Sequence, residues 1–179
     1  MDSNLKQNLE EIFRTSNSPD ELFDTFRVAI EREIHDEELY KILLRNKALS
    51  VDEIIMFTEK ICKESPNLSY NICFCVGQLL ESISTYGKHN ESALQYFQKA
   101  AKIKPASEEP YLAIAKMYNN ELNIPGFEIV TKIIEDGIAC VKIKSPLCFA
   151  LAALLTNRGE IEKGSNFKKL GEIYLREGN

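Results

Sequence analysis

The chain has 179 residues, of which 44% are hydrophobic and 27% charged, a composition typical of one globular core or a short stack of repeats. It contains no run of 18 or more uncharged apolar residues, which excludes a bilayer-spanning helix. The formal net charge is −5, and the cations are not clustered as binding to nucleic acid requires. Because the start MDSNLKQNLEE is polar and acidic, we expect no secretory signal peptide and a cytoplasmic protein.

Residue types that carry catalytic or metal chemistry form no recognised pattern. The five cysteines include no CxxC pair, and Cys73 and Cys75 would point about 200° apart on a helix. We expect the cysteines to be small buried hydrophobes in a reducing compartment, and His35 and His89 to lie on the surface. The sequence also lacks GxSxG, HExxH and a phosphate-binding glycine loop. We therefore predict that the protein is not an enzyme and uses no metal or cofactor.

Helix signals run through the chain, whereas no sustained alternation predicts a strand. A first helix is expected over about Leu5–Arg14. The stretch Ser18-Pro19-Asp20-Glu21 then combines an N-cap serine, a proline in the first turn and a glutamate three residues after the cap, which predicts the start of a second helix. The predicted apolar face of this helix is Leu22, Phe23, Phe26, Val28 or Ala29, and Ile30.

Two further helix starts follow. Asp36 caps the short segment DEELYKILLRNK, and Ser50-Val51-Asp52-Glu53 repeats the capping box. The helix after Ser50 has an expected inner face of Ile54, Ile55, Phe57, Thr58 and Ile61. An acidic cluster surrounds the first of these caps, and we interpret it as a solvated helix end, with a contact for a basic partner as the alternative. The cluster is Glu31, Glu33, Asp36, Glu37 and Glu38.

A repeating pattern begins after residue 50. Pro66, Pro105 and Pro146 lie 39 and 41 residues apart, and we expect each to close a helix. Positions twelve, eight and five residues before each proline form a mostly apolar stripe with spacing i, i+4, i+7, which is one face of a helix. The stripes are Ile54, Thr58 and Ile61; Ala93, Phe97 and Ala100; and Ile134, Ile138 and Val141.

The best of these stripes resembles the tetratricopeptide repeat (TPR), which pairs an aromatic-x2-Leu-small-x2-Tyr helix with an A-x3-F-x2-A-x4-P helix. Ala93, Phe97, Ala100 and Pro105 match the second half at every position. The first half of the next unit is matched by Tyr111, Ile114, Ala115 and Tyr118. The resemblance implies an all-α fold, a right-handed α-solenoid of stacked antiparallel helix pairs.

The resemblance covers residues 51–179, about two and a half to three units, and residues 1–50 are predicted to form an N-terminal helical extension or cap. Units here are about seven residues longer than the usual TPR period of about 34. Longer helices would absorb two extra turns without changing the packed face, and inserted loops at Ser84–Asn90 and Asn119–Pro125 would do so equally well.

The TPR resemblance further implies that the first helix of each pair lines a concave groove that takes a peptide segment or a helix of another protein. Amides on that surface would suit a peptide backbone, since each carries a donor and an acceptor; ordinary solvated positions are the alternative. Lys116 is the one basic candidate, so the carboxylate clamp of some TPR proteins looks incomplete. The candidates are Asn71, Cys75, Gln78, Ser82, Leu112, Lys116, Asn119, Ala153, Asn157 and Glu160.

Three functions follow as alternatives. The first is a non-catalytic adaptor, scaffold or chaperone that binds a protein segment. The second is a module that self-associates end to end through its C-terminal helix, whose apolar residues Phe167, Leu170, Ile173 and Tyr174 lack an evident polar cap. The third is a regulatory or docking subunit of an enzyme in another chain.

Overall fold

The computed structural model describes residues 3–84 and 88–178, and the regular structure in these ranges is helical, as the sequence predicts. One isolated bridge between Asn119 and Ile124 is the exception, and one 3₁₀ turn, Pro66–Leu68, joins two of the helices. The helices are α1 (Ser3–Thr15), α2 (Pro19–Glu31), α3 (Glu37–Leu44), α4 (Val51–Glu64), α5 (Ser69–Ser82), α6 (Asn90–Ile103), α7 (Glu109–Met117), α8 (Phe127–Cys140), α9 (Ser145–Asn157) and α10 (Ile161–Glu177).

The chain divides into two compact units, Met1–Leu79 and Leu80–Asn179. Each unit contains its own set of buried apolar side chains. The sequence predicted a different boundary, at residue 50, where the repeats would begin. That boundary stays a prediction.

The predicted helix starts are confirmed in the first unit. The side chains of Ser18 and Asp36 accept hydrogen bonds from the backbone N–H groups of Glu21 and Leu39. Ser50 forms a complete capping box with Glu53, in which each side chain accepts from the other residue's backbone N–H. These bonds satisfy donors that the first turn of a helix leaves unpaired.

An aromatic cluster forms the centre of the first unit. The ring of Phe26 lies 4.6 Å from that of Phe57 and 6.1 Å from that of Tyr40. The Tyr40 hydroxyl donates to the carbonyl of Ile34 at 2.5 Å, and burial raises the pKa of Tyr40 to about 12. The predicted α2 face is wrong at Phe23, which is 46% exposed, because this ring stacks on the rim of the cluster against Phe57.

The second unit buries the stripe that carries the TPR resemblance. Ala93, Phe97 and Ala100 of α6 are fully buried, and so is Ile114 of α7. Tyr111 is also buried, and its hydroxyl donates to the carbonyl of Pro105 at 3.4 Å. Of the predicted packing residues of this unit, Ala115 and Tyr118 are partly exposed and Pro105 is exposed after the end of α6.

One of the three prolines does not close a helix. Pro66 and Pro105 each follow the end of a helix by two residues. Pro146 instead lies in the first turn of α9, and α8 already ends at Cys140. A proline fits the first turn because its missing N–H would have no helical partner there. The expectation that Pro146 closes the preceding helix is therefore wrong.

Glycines allow the helices of the second unit to approach closely. A Cβ at Gly137 of α8 would lie 2.6 Å from the Tyr111 ring. On α10, a Cβ at Gly164 would lie 3.0 Å from the carbonyl oxygen of Ala152, and one at Gly171 would lie 2.9 Å from the Phe149 ring. Gly159, with φ of 90°, makes the turn between α9 and α10. The close contact of α9 with α10 thus depends on Gly164 and Gly171.

The connections within the helix pairs differ in length. Nine residues, 118–126, separate α7 from α8, whereas three residues, 158–160, separate α9 from α10. Residues 83–89 separate α5 from α6, and of the loop expected at Ser84–Asn90, residues 85–87 lie outside the described part of the chain. At 118–126 the extra length is therefore loop and not additional helical turns.

Candidate peptide-binding surfaces

The first unit presents polar side chains from α3, from the residue after it and from α5, and we call this set the α3–α5 polar face: Glu37, Lys41, Arg45, Asn71 and Gln78. The Asn71 amide donates to the Glu37 carboxylate at 2.5 Å, and the Lys41 ammonium lies 2.5 Å from the same carboxylate. Lys41 also contacts Glu38 at 2.9 Å. Arg45, Asn71 and Gln78 are exposed, so this face offers donors and acceptors to an outside molecule.

Hydrogen bonds set the charge state of this face. Partial burial opposes ionisation of Glu37, but the hydrogen bonds from Lys41 and Asn71 outweigh it and lower the pKa of the carboxyl. Bonds to Glu37 and Glu38 raise the pKa of Lys41. At neutral pH, Glu37 is therefore an anion and Lys41 a cation, and their donors and acceptors are held in place for recognition.

The α5 candidates do not all reach the surface. Asn71, Gln78 and Ser82 are exposed, but Cys75 is buried, with the guanidinium of Arg45 3.6 Å from its sulfur. Burial raises the pKa of the Cys75 thiol although Arg45 opposes the effect. Its expected role as a groove residue is therefore corrected, because Cys75 is only 4% exposed and the side chain of Arg45, the residue after α3, lies against it.

Lys41 and Arg45 of this face were not predicted from the sequence, which named Glu37 only as part of an acidic cluster, although a signal for them exists. Glu37, Lys41 and Arg45 have the spacing i, i+4, i+8, which places them on one side of a helix whose other side is buried. In addition, Glu37 and Asn71 are 34 residues apart, which is the usual TPR period.

In the second unit, α7 presents two of its three candidates. Lys116 is exposed and Leu112 partly exposed on the helix. Burial raises the pKa of Glu81, and the charge of Lys116 opposes this rise. Asn119 lies beyond the end of α7, where its side-chain oxygen accepts from the backbone N–H groups of Glu121 and Leu122. The oxygen of Asn119 thus stabilises the 118–126 loop.

The α9 candidates lie beside α10. Ala153 and Asn157 are exposed and line a shallow cleft with Ile161 and Lys168 of α10. Glu160 precedes the first residue of α10, and its carboxylate pairs with Lys163 at 2.5 Å. These three residues accordingly form a surface with α10, and their assignment to a groove stays a prediction.

Two further clefts were not predicted. In the second unit, a cleft of about 670 Å³ between α8 and α10 is lined by Phe127, Glu135, Arg158 and Phe167, among others, and the Arg158 guanidinium lies 5.6 Å from the centre of the Phe127 ring. In the first unit, an apolar cleft of about 410 Å³ between α2 and α4 includes the exposed side chains of Phe23 and Met56.

Residues 3–84 and 88–178 contain neither a metal-binding cluster nor a helix that could span a membrane. No cluster of three or more His, Cys, Asp or Glu side chains in residues 3–84 and 88–178 could hold a metal ion. His35 is hydrogen-bonded through Nδ1 to the Ser65 hydroxyl at 2.6 Å. None of the helices described in these ranges has both the length and the apolar character needed to cross a membrane.

Comparisons with known proteins find a similar fold but no match to the sequence. No protein-family pattern matches the chain, and no curated protein matches it. A solved structure titled "MamA RS-1 ArsTM double mutant" is similar over 99% of this chain and 98% of its own, with a TM-score of 0.54 and 14% sequence identity. The likeness shows that this chain has an all-α, TPR-like solenoid fold of stacked helix pairs.

Proposed function

We propose that this chain is a non-catalytic protein-interaction module, an adaptor, scaffold or chaperone, that binds a peptide segment or a helix of another protein. The observation that carries the proposal is the α3–α5 polar face, where the Glu37–Lys41 ion pair lies beside the exposed amide of Asn71 and where Gln78 is also exposed on α5. Charged and amide side chains of this kind pair with the N–H and C=O groups of a bound segment. Taken by itself, the second unit offers a candidate surface of its own, with Lys116 and Leu112 on α7.

The TPR-like fold supports the same role. Helices stacked in pairs leave one side of each first helix without a covering layer, and repeat proteins use such surfaces for binding. The charge of the α3–α5 polar face favours a segment with an acidic residue opposite Arg45, because the Glu37 carboxylate already has Lys41 and Asn71 as partners.

Selection from a displayed peptide library tests the proposal, followed by titration calorimetry of the selected peptides. We expect Arg45→Glu or Lys116→Glu to weaken binding at least tenfold, since each reverses a charge on a proposed surface. Lys102→Glu, which makes the same charge change at an exposed position of α6, should bind as the wild type does. Asn119 is left unchanged because its substitution would disturb the 118–126 loop.

Circular dichroism of each variant provides the folding control. Peptides that bind all folded variants equally would overturn the assignment of these surfaces. Failure to select any peptide would overturn the proposed function itself.

Self-association is a second candidate, and α10 supports it. Ile173 and Leu175 are 49% and 64% exposed on this helix, and Ile161 at its start is 61% exposed. Exposed apolar side chains of this kind favour contact with another copy. If so, light scattering should show a mass that grows with concentration, and Ile173→Ser with Leu175→Ser should abolish the growth, whereas Lys169→Ser should not. A mass that is constant over the whole concentration range would exclude this candidate.

A further inference from the structure

Two cysteines of the first unit lie within reach of each other. Cys62 is in the last turns of α4, Cys73 is in α5, and their sulfur atoms are 3.7 Å apart. Neither is in a disulfide. We infer that Cys62 and Cys73 form an oxidation site, at which a peroxide converts the two thiols into a disulfide that joins α4 to α5.

The local geometry favours this bond. A disulfide requires about 2.05 Å between the sulfurs, so they must approach by roughly 1.7 Å, which a change of side-chain torsion can provide. The backbone between the two helices is already held in a tight connection, since the Ser69 hydroxyl donates to the carbonyl of Cys62 at 3.2 Å. The pair can therefore close without separating α4 from α5.

The two thiols differ in access, which gives each a role. Cys62 is partly exposed and Cys73 is buried. A dissolved peroxide therefore reaches Cys62 first. Cys73 is the resolving thiol, which attacks the oxidised sulfur of Cys62. The other cysteines have different surroundings: Cys75 lies against Arg45, Cys140 is exposed at the end of α8, and Cys148 is buried in α9.

The chemistry balances with hydrogen peroxide as the oxidant. The Cys62 thiolate attacks one peroxide oxygen, the O–O bond breaks, and the sulfur becomes a sulfenic acid while hydroxide leaves and is protonated to water. The Cys73 thiolate then attacks the sulfenic sulfur, the S–S bond forms, and the S–O bond breaks with loss of a second hydroxide that also takes up a proton. Each thiol has lost one hydrogen, and the peroxide has been reduced to two waters.

Mass spectrometry tests the inference on the full chain. The reduced protein is treated with hydrogen peroxide, denatured, alkylated and digested. We expect two of the five cysteines to escape alkylation, a cross-linked peptide that contains Cys62 and Cys73, and full reversal by dithiothreitol. An unchanged set of five alkylated cysteines, or a cross-link that joins other cysteines, would overturn the inference.

Variants separate the roles of the two sulfurs. Cys62→Ser should abolish the intramolecular cross-link, whereas Cys75→Ser and Cys140→Ser should retain it. Cys73→Ala should leave Cys62 as a sulfenic acid that dimedone labels, because the resolving thiol is absent. A cross-link that persists in Cys62→Ser contradicts the site. If Cys73→Ala does not fold, the cross-linked peptide of the wild type decides the matter alone.

Discussion

Single residues determine how closely the helices of the second unit pack. Gly164 shows this most directly, because a Cβ there would lie 3.0 Å from the Ala152 carbonyl oxygen and 3.2 Å from the Thr156 backbone nitrogen. Both are backbone atoms, which cannot rotate out of the way as a side chain can. Only the structure shows that the atoms beside Gly164 belong to the main chain of α9.

Replacement of Gly164 tests this packing. We expect Gly164→Ala to lower the free energy of unfolding by about 1–3 kcal/mol, since an added methyl group in a filled contact forces α9 and α10 apart. Denaturant unfolding followed by circular dichroism measures the effect. Ser165→Ala, at the exposed next position of α10, should change stability little. Equal stabilities of the two variants would show that the contact adapts easily.

Phe97 is the large side chain at the centre of the stripe that carries the TPR resemblance, and it is 0% exposed. Phe97→Ala should cost about 3–5 kcal/mol, because it removes buried apolar area and leaves a cavity. Gln95→Ala, at an exposed position of the same helix, is the matched control in the same unfolding experiment. A cost below about 1 kcal/mol would mean that the neighbouring helices collapse into the space.

Whole elements were predictable from the sequence where local chemistry decides them. The three helix starts at Ser18, Asp36 and Ser50 were foreseen because capping depends on residues within one turn. Pro146 was placed wrongly because proline is compatible both with the residues after a helix and with the first turn of the next one. Cys75 was expected to be a small buried hydrophobe and was also a groove candidate, and only the structure shows that Arg45 lies against it and that it is buried.

The contact between α3 and α5 should depend on pH through Glu37. The folded protein lowers the pKa of Glu37 below the ordinary value of 4.5, so the carboxylate stabilises the fold above that pH, and the contribution disappears as the pH falls through the lower folded value. Glu37→Gln should therefore be less stable than the wild type at pH 7, by less than about 1 kcal/mol because water screens a partly exposed pair.

Denaturant unfolding at a series of pH values measures this difference. The gap between wild type and Glu37→Gln should narrow as the pH falls below 4.5. Glu11→Gln, at an exposed position of α1, controls for the loss of one negative charge. A gap that stays constant down to low pH would mean that the ionised carboxylate adds nothing to the contact.

At the scale of the whole molecule, the chain has two compact units, each with its own buried core. In repeat proteins, stability is the sum of local terms and contacts between neighbouring elements. We expect Phe97→Ala to raise amide hydrogen-exchange rates more in α6–α9 than in α1–α4, and Phe57→Ala to do the reverse. A uniform rise over all the described helices in either variant would show that the chain unfolds as one cooperative block.

The 118–126 loop bears on how such a chain can change over evolutionary time. The extra residues lie between α7 and α8. Deleting or adding residues there therefore does not rotate any residue within either helix, and the same side chains stay buried. An insertion within α7 would instead rotate every later residue of that helix by about 100°. We therefore expect homologues to vary in length at this loop and to keep the spacing from Tyr111 to Met117 constant.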